Sequence, residues 1–338
     1  MRLSFSRFEL KLKHTFTIAR SSRDVESVVL VELSHEGITG LGEASPSKRY
    51  GESVDTIQSF LSQLDLRRFH DPFQLESILE YVDKMAPGNS SAKAAVDIAL
   101  HDWIGKKLNI PLFRYWGLDK ANTPVTSFTI GIDRAEVIER KVREAEEYPI
   151  LKIKLGLDND EEIMRTIRRV TKKPLRVDAN EGWKNKVLAV EKIQWLEQEG
   201  VEFVEQPMPS DDLIGTAWVR DRVNLPLIAD ENSIRLHDVP RLQGVFDGIN
   251  IKLMKCTGLR EAHRMISTAR ACGLKIMMGC MIETSIGISA AAQLSPLIDY
   301  ADLDGHVLTT NDPFVGVTIS DGKLILPELP GIGAIKRD

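Results

Sequence analysis

LKIKL at 151–155, LRVDA at 175–179, VEFVEQ at 201–206, LIADE at 227–231 and GINIKL at 248–253 repeat one pattern, a short apolar run ending in a charge. The marked positions are Lys154, Asp178, Glu205, Asp230 and Lys252, spaced 22 to 27 residues apart. Asp302 follows 50 residues later, and that gap holds one unmarked strand in MMGCMIET at 277–284. A spacing of this size is what one strand, one helix and two loops consume. Charges at the ends of successive parallel strands converge on one mouth of a closed barrel, so the stretch predicts an α/β fold built on a (β/α) barrel.

Working outward, the predicted barrel strands are PVTSFTI, PILKIKL, LRVDA, VEFVEQ, LIADE, GINIKL, KIMMG and YADLD. Helices are expected between them, for instance at 134–147, 160–170 and 259–273. No GxGxxG follows any of the strands, which argues against an open dinucleotide-binding sheet. Residues 1–120 differ in kind. Three strand-like runs, 2–13, 25–34 and 38–45, with a turn at HEG 35–37, precede helical periodicity near 53–66, 74–86 and 90–106. In the third helix Asn89 or Ser90 is the expected cap. Ala92, Ala95, Val96, Ala99, Leu100 and Trp103 form its apolar stripe, the alanines suiting a close helix–helix contact. The reading is an α+β capping domain at 1–120, a barrel at 121–311, and a tail at 312–338 that returns to the capping domain and its sheet.

The 338 residues carry 43% apolar and 28% charged side chains and a formal charge of −5. That composition gives no reason to expect a nucleic-acid or anionic-membrane partner. No run approaches the length of a membrane span, and the charged, alternating N-terminus reads as a strand and not as a signal peptide. Cys256, Cys272 and Cys280 lack CxxC spacing and read as buried thiols in a reducing compartment, hence a cytoplasmic location.

Asp178, Glu205 and Asp230 fall on consecutive strands, so a barrel brings three carboxylates within a few ångströms. Such a cluster needs a counter-charge, and a hard divalent cation, Mg²⁺, meets that need with oxygen ligands. A helix-capping role could explain any one of them but not three on consecutive strands, and least of all Glu205 before Gln206-Pro207. Asn180 and Glu231 are placed to support the ligands. Lys152 and Lys154 share one face of their strand. Lys152 is expected to pair with carboxylates and orient Lys154, and Lys255 is expected to be peripheral. Lys252, with Asn250 on its face, lies four strands from Lys154, across the ring. Two amines flanking one carbon allow a proton to leave from one side and return from the other. Metal charge and burial would lower a lysine's pKa toward a base's range. The predicted reaction is inversion by 1,1-proton transfer next to a carboxylate, with the metal stabilising the enediolate.

Lys152-Ile153-Lys154, Asp178-Ala179-Asn180, Glu205-Gln206-Pro207, Asp230-Glu231, Asn250-Ile251-Lys252 and Met281-Ile282-Glu283-Thr284 together resemble the enolase superfamily, in its muconate-lactonizing subgroup. Sites of that superfamily pair a Lys or His base with Mg²⁺. The resemblance covers nearly the whole chain and implies a modified TIM barrel with a capping domain. It also implies Lys154 and Lys252 as the acid/base pair, one Mg²⁺ on Asp178, Glu205 and Asp230, and a homo-oligomer. Asp302-Leu303-Asp304 resembles the Asp-x-Asp with which dipeptide epimerases hold a substrate's free α-ammonium. Cap loops near 16–24 (Thr17, Arg20, Ser21, Arg23) and 46–52 (Lys48, Arg49, Tyr50) are expected to close over the mouth. Their cations favour an acidic second residue, as in Ala-Glu from murein peptides, which would place the enzyme in cell-wall peptide recycling. Two alternatives stay open: a succinylbenzoate synthase or other enzyme of the subgroup, with Lys252 as a passive cation, and a non-catalytic binding barrel.

Overall fold

The structure, a computed structural model, describes residues 1–19 and 21–338. Strands β1 (Arg2–Ile18), β2 (Ser21–His35) and β3 (Ile38–Ala44) form an antiparallel sheet in chain order. Glu36 and Gly37 both take positive φ, 48° and 76°, in the two-residue β2–β3 turn, the backbone that a tight hairpin between twisted strands requires. The first hairpin is longer than the sequence suggested. After a register shift beyond Lys11, pairing resumes at Phe16–Arg23 and continues to Ile18–Ser21. Thus most of the segment expected as a cap loop at 16–24 is paired strand, held by backbone hydrogen bonds that its polar, non-alternating residues do not advertise.

Helices α1 (Val54–Ser62), α2 (Leu75–Lys84) and α3 (Ser90–Leu108) cover that sheet. The alanine stripe of α3 is buried as expected, but its close neighbour is β3. A Cβ added at Gly40 or Gly42 would lie 2.0 Å from the carbonyl oxygen of Ala99 or Ala95. Neither Asn89 nor Ser90 caps α3 through its side chain. Asn89 donates to the Pro87 carbonyl, and the buried Glu52 carboxylate instead accepts from Ser91 N (3.1 Å) and Ser91 Oγ (2.6 Å). A carboxylate does this work well because it also faces the positive end of the helix dipole.

The barrel follows the sequence pattern closely. Strands β4 (Phe128–Ile130), β5 (Leu151–Lys154), β6 (Leu175–Asp178), β7 (Val201–Glu205), β8 (Leu227–Ala229), β9 (Gly248–Ile251), β10 (Lys275–Gly279) and β11 (Tyr300–Asp302) lie side by side, parallel, in chain order. A parallel bridge between Thr126 and Ala301 closes the ring. The outer helices are α4 (Ala135–Glu144), α5 (Asp160–Val170), α6 (Lys186–Gln198), α7 (Leu213–Arg220), α8 (Leu259–Ala271) and α9 (Ser285–Ala292). A 3₁₀ stretch at Leu236–Leu242, interrupted by Pro240, replaces the helix between β8 and β9. Outward-facing Ile153, Val177, Val204 and Ile249 join the large core shared with the helices. Inside, Phe203, Ile228 and Met277 pack with Tyr300 to plug the floor. The Arg176 guanidinium stacks on Phe203 and Tyr300 and bonds Glu202 and the Ala301 carbonyl. The floor is therefore solid, and only the opposite end opens.

The cap is sewn to that open end. Asp97 of α3 accepts from Leu259 N (2.6 Å) and Arg260 N (3.2 Å) at the start of α8. Glu43 of β3 accepts from Thr284 N and Thr284 Oγ1 (2.8 and 2.6 Å) and from Gly287 N (3.0 Å) at the start of α9. The tail touches the cap through Ile332 N on Asp102 and through Gly331, which exchanges backbone hydrogen bonds with Ile110 and Leu112; just before the tail, Thr310 N donates to the Lys11 carbonyl. Its strands pair with each other, 314–315 with 335–336 and 318–320 with 323–325, and do not extend the cap sheet as the sequence reading expected. Among the described residues, no helix is long and apolar enough to cross a membrane.

Candidate active site

Strand alternation sends Lys152, Lys154, Asp178, Glu205, Asn250 and Asp302 into the barrel, and register puts Lys154 beside Asp178 and Asp178 beside Glu205. Gly279 makes room: a Cβ there would meet the Asn250 side chain at 2.6 Å. One carboxylate oxygen each from Asp178, Glu205 and Asp230 lies within 4.8 Å of the other two, and all three residues are buried.

Each carboxylate is met by an ammonium. Lys154 Nζ donates to Asp178 Oδ2 (2.6 Å) and Lys252 Nζ to Asp230 Oδ2 (2.8 Å). Lys152 Nζ sits 2.7 Å from Asp302 Oδ2, 2.6 Å from Glu205 Oε2 and 3.6 Å from Asp178 Oδ2. Asn250 Nδ2 donates to Glu205 Oε1 (2.7 Å), and the backbone N–H of Asn180 to Asp178 Oδ1 (2.9 Å). Lys255, which the sequence reading set aside as peripheral, is fully buried and bonds the Asp230 side chain (2.5 Å), the Asp230 carbonyl (2.6 Å) and the Asn250 carbonyl (3.0 Å). The chain leaves β9 at Lys252 and turns helical over Leu253–Cys256, so position 255 swings back beneath 252. Extrapolated strand alternation misses that return; the K-x-x-K spacing was the available signal.

The electrostatics follow from these pairs. Burial disfavours the charge on Lys152, but Asp302, Glu205 and Asp178 outweigh it and hold the ammonium well above the usual lysine range. Burial likewise opposes the charge on Lys252, and Asp230 and Glu205 prevail, raising it. The lowering that burial alone would cause is outweighed in both lysines by the carboxylates they face. For Asp230, burial is overcome by Lys252 and Lys255, which hold it well below the carboxylate range. Glu205 is raised, by burial and then by the Asp178 charge. A divalent cation fits this donor set. The three groups are hard oxygen donors, and Glu205 Oε2 is buried with no well-aligned hydrogen-bond donor despite its closeness to Lys152.

Lys152, Lys154, Asp230 and Lys252 line a cleft of about 110 Å³, together with Asn180, Glu231, Asp302 and Asp304 from the barrel and Arg23, Arg49 and Tyr50 from the cap. Asp302 Oδ1 accepts from Ser127 Oγ (2.7 Å) and Asp304 Oδ2 from Thr129 N (2.6 Å). Burial, and then the Asp302 charge, push Asp304 up to about 7. On the cap side the cations are already engaged. Arg23 pairs with Glu26, and Arg49 grips Glu181 through two bonds of 3.0 Å while also reaching Ser210. Arg20 lies outside the described residues.

Comparison with known proteins agrees with this arrangement. Residues 5–117 match the mandelate racemase / muconate lactonizing enzyme N-terminal domain, and residues 134–335 match the enolase C-terminal domain-like family. An L-Ala-D/L-Glu epimerase of Bacteroides thetaiotaomicron is 52% identical, over 99% of this chain and 88% of the relative. The substrate-liganded L-Ala-D/L-Glu epimerase of Bacillus subtilis superposes with a TM-score of 0.93 at 32% identity, over 99% of this chain and 98% of that one. A dipeptide epimerase of Enterococcus faecalis, complexed with Mg and L-Leu-L-Tyr, gives 0.89 at 35% identity, over 98% of both chains. The chain belongs to the mandelate racemase/muconate-lactonizing family of the enolase superfamily.

Proposed function

We propose that the protein is a Mg²⁺-dependent dipeptide epimerase that inverts the α-carbon of the second residue, with L-Ala-D/L-Glu as its substrate. The observation that carries this reading is the pair Asp302 and Asp304, which line the same cleft as Lys154, Lys252 and Asp230, the last of these one of the three clustered carboxylates. Asp178, Glu205 and Asp230 would hold the ion. When bound, Mg²⁺ supplies a grip on the substrate carboxylate and offsets the charge that builds as the α-proton leaves. Lys154, ending the second of eight barrel strands, and Lys252, just past the sixth, would work from opposing sides of the ring, one to take the proton and the other to return one. Lys152 stays charged among its three carboxylates and keeps Asp302 ionised. Asn180 and Glu231 border the ion site, and Asp302 and Asp304 receive the free α-ammonium.

The relatives named as L-Ala-D/L-Glu epimerases support the acidic second residue. Arg23 and Tyr50 border the cleft where that side chain would lie, Arg20 is the remaining cap cation proposed for it, and the Arg23 charge is shared with Glu26. Residues 1–120 act as the cap, 121–311 as the catalytic barrel and 312–338 as the return to the cap. A cytoplasmic homo-oligomer that recycles cell-wall peptides is the setting we assign. A synthase acting on a substrate without an ammonium would leave Asp304 facing it with nothing to bind, and a binding barrel would have no use for paired buried lysines.

The test is incubation with L-Ala-L-X dipeptides and Mg²⁺ in deuterium oxide. Deuterium at the α-carbon of the second residue, fastest for X = Glu, is the expected result. Exchange surviving replacement of both Lys154 and Lys252 by alanine would sink the two-base assignment.

A further inference from the structure

We infer that Lys255 is a positioning residue: its ammonium fixes the orientation of Asp230, and through Asp230 that of Lys252. The inference rests on the two-base reading above. Lys255 has three N–H donors, and three acceptors converge on them, Asp230 Oδ1, the Asp230 carbonyl and the Asn250 carbonyl. Its side chain is 0% exposed and takes no part in lining the cleft, so it touches neither substrate nor solvent.

The consequences reach two of the three clustered carboxylates. Occupying Oδ1 of Asp230 leaves Oδ2 as the oxygen turned toward Lys252, at 2.8 Å. Binding the Asn250 carbonyl ties the end of β9 to the residue after β8, while the Asn250 side chain holds Glu205 at 2.7 Å. Without Lys255, the Asp230 carboxylate is free to turn about its own axis, and the ammonium hanging from its other oxygen turns with it. Lys154 has no such dependence, since it is held by Asp178, whose second oxygen is fixed by a backbone N–H. The effect of losing Lys255 is therefore one-sided.

The experiment uses the full-length protein with Lys255→Met and Lys255→Arg. In deuterium oxide with Mg²⁺, Lys252→Ala first identifies which dipeptide diastereomer loses its α-proton to Lys252. Lys255→Met is expected to slow exchange of that diastereomer by about 10- to 100-fold, the range typical of residues that orient metal ligands, and the other by less than about threefold. Calorimetric titration with Mg²⁺, without substrate, is the second readout. Removing a cation that competes for Asp230 is expected to tighten Mg²⁺ binding by about tenfold in Lys255→Met. Lys255→Arg keeps the charge but presents a planar fork to three convergent acceptors. It should bind Mg²⁺ as the parent does and still show the one-sided exchange defect. Equal slowing of both diastereomers with unaltered Mg²⁺ affinity would reduce Lys255 to a brace for the fold and overturn the inference. If the parent protein exchanges no dipeptide α-proton, the epimerase reading fails, and the Mg²⁺ titration still decides whether Lys255 governs Asp230.

Discussion

The mouth of the barrel and the face of the cap above it are built on different principles. At the mouth, Lys154, Asp178, Glu205, Asp230 and Lys252 stand on a strand end or the residue just after it, and each of the three clustered carboxylates meets an ammonium from another strand. On the cap, Arg23 lies near a hairpin end and Arg49 in a 3₁₀ turn, the first answered by the neighbouring Glu26 and the second by the facing Glu181. The first arrangement, with its charges buried and paired, is the one suited to proton chemistry. The second trades partners more cheaply, which suits choosing among side chains. Damage at the mouth should therefore appear in kcat and damage on the cap in KM.

The sharpest way to break that division is at the two bases. Lys154→Ala or Lys252→Ala should each lower epimerisation by at least about 10²–10⁴-fold, measured by polarimetry or chiral chromatography, while each retains α-exchange of one diastereomer. Asp230→Asn leaves Lys252 and Lys255 without their shared counter-charge. Its expected signature is loss of the Mg²⁺-induced rise in Tm that the parent shows, because an ion bound only by the folded state raises stability by mass action. Asp304→Asn should raise KM for a free dipeptide by about tenfold, the scale of one charge-assisted hydrogen bond, with a smaller effect on an N-acetylated dipeptide.

A weaker effect is expected where the two regions meet. Glu43 of the cap and Glu283 of the barrel crowd the same backbone at Gly287, where a Cβ would lie 2.1 Å from Glu283 Oε2 and 3.2 Å from Glu43 Oε2. Burial pushes Glu43 up to about 7, and burial together with the Glu43 charge pushes Glu283 up to about 8. In the unfolded chain both titrate near 4.5. The folded state thus binds more protons between those values, so the pair stabilises the fold fully below about pH 4.5 and that contribution is lost as pH rises through about 7 to 8. Glu283→Gln should flatten the decline of Tm between about pH 5 and 9, with a slope equal to the parent's counting against the shared burial. The smallest effect belongs to the cap. Arg23→Ala should change KM for Ala-Glu by less than about fivefold with kcat unaltered, since its charge is committed to Glu26 and partly exposed pairs contribute little. A hundredfold loss would move Arg23 from the adaptable region to the rigid one.

The same contrast explains what could be read from the chain. All eight barrel strands, the carboxylate cluster and the placing of Lys154 and Lys252 on one cleft were legible because strand alternation and a regular repeat carry a residue's number directly into its position on the ring. What was missed lies where tertiary contacts override local pattern. Glu52, 39 residues away, caps α3 in place of Asn89. Ala95 and Ala99 of α3 make their tightest approach to glycines of a strand. The first hairpin runs on through Ile18 and Ser21 although its residues there carry no alternation. Lys255 was lost because one helical turn after β9 reversed the facing that alternation implied.

Two barrel helices, α8 and α9, begin on carboxylates that belong to the cap, Asp97 and Glu43. A fragment starting near residue 121 would expose both helix starts, one just after the turn bearing Lys252 and the other at the edge of the cleft. The lid is thus part of the barrel's own scaffolding, and evolution cannot exchange it wholesale for another without also replacing those two acids.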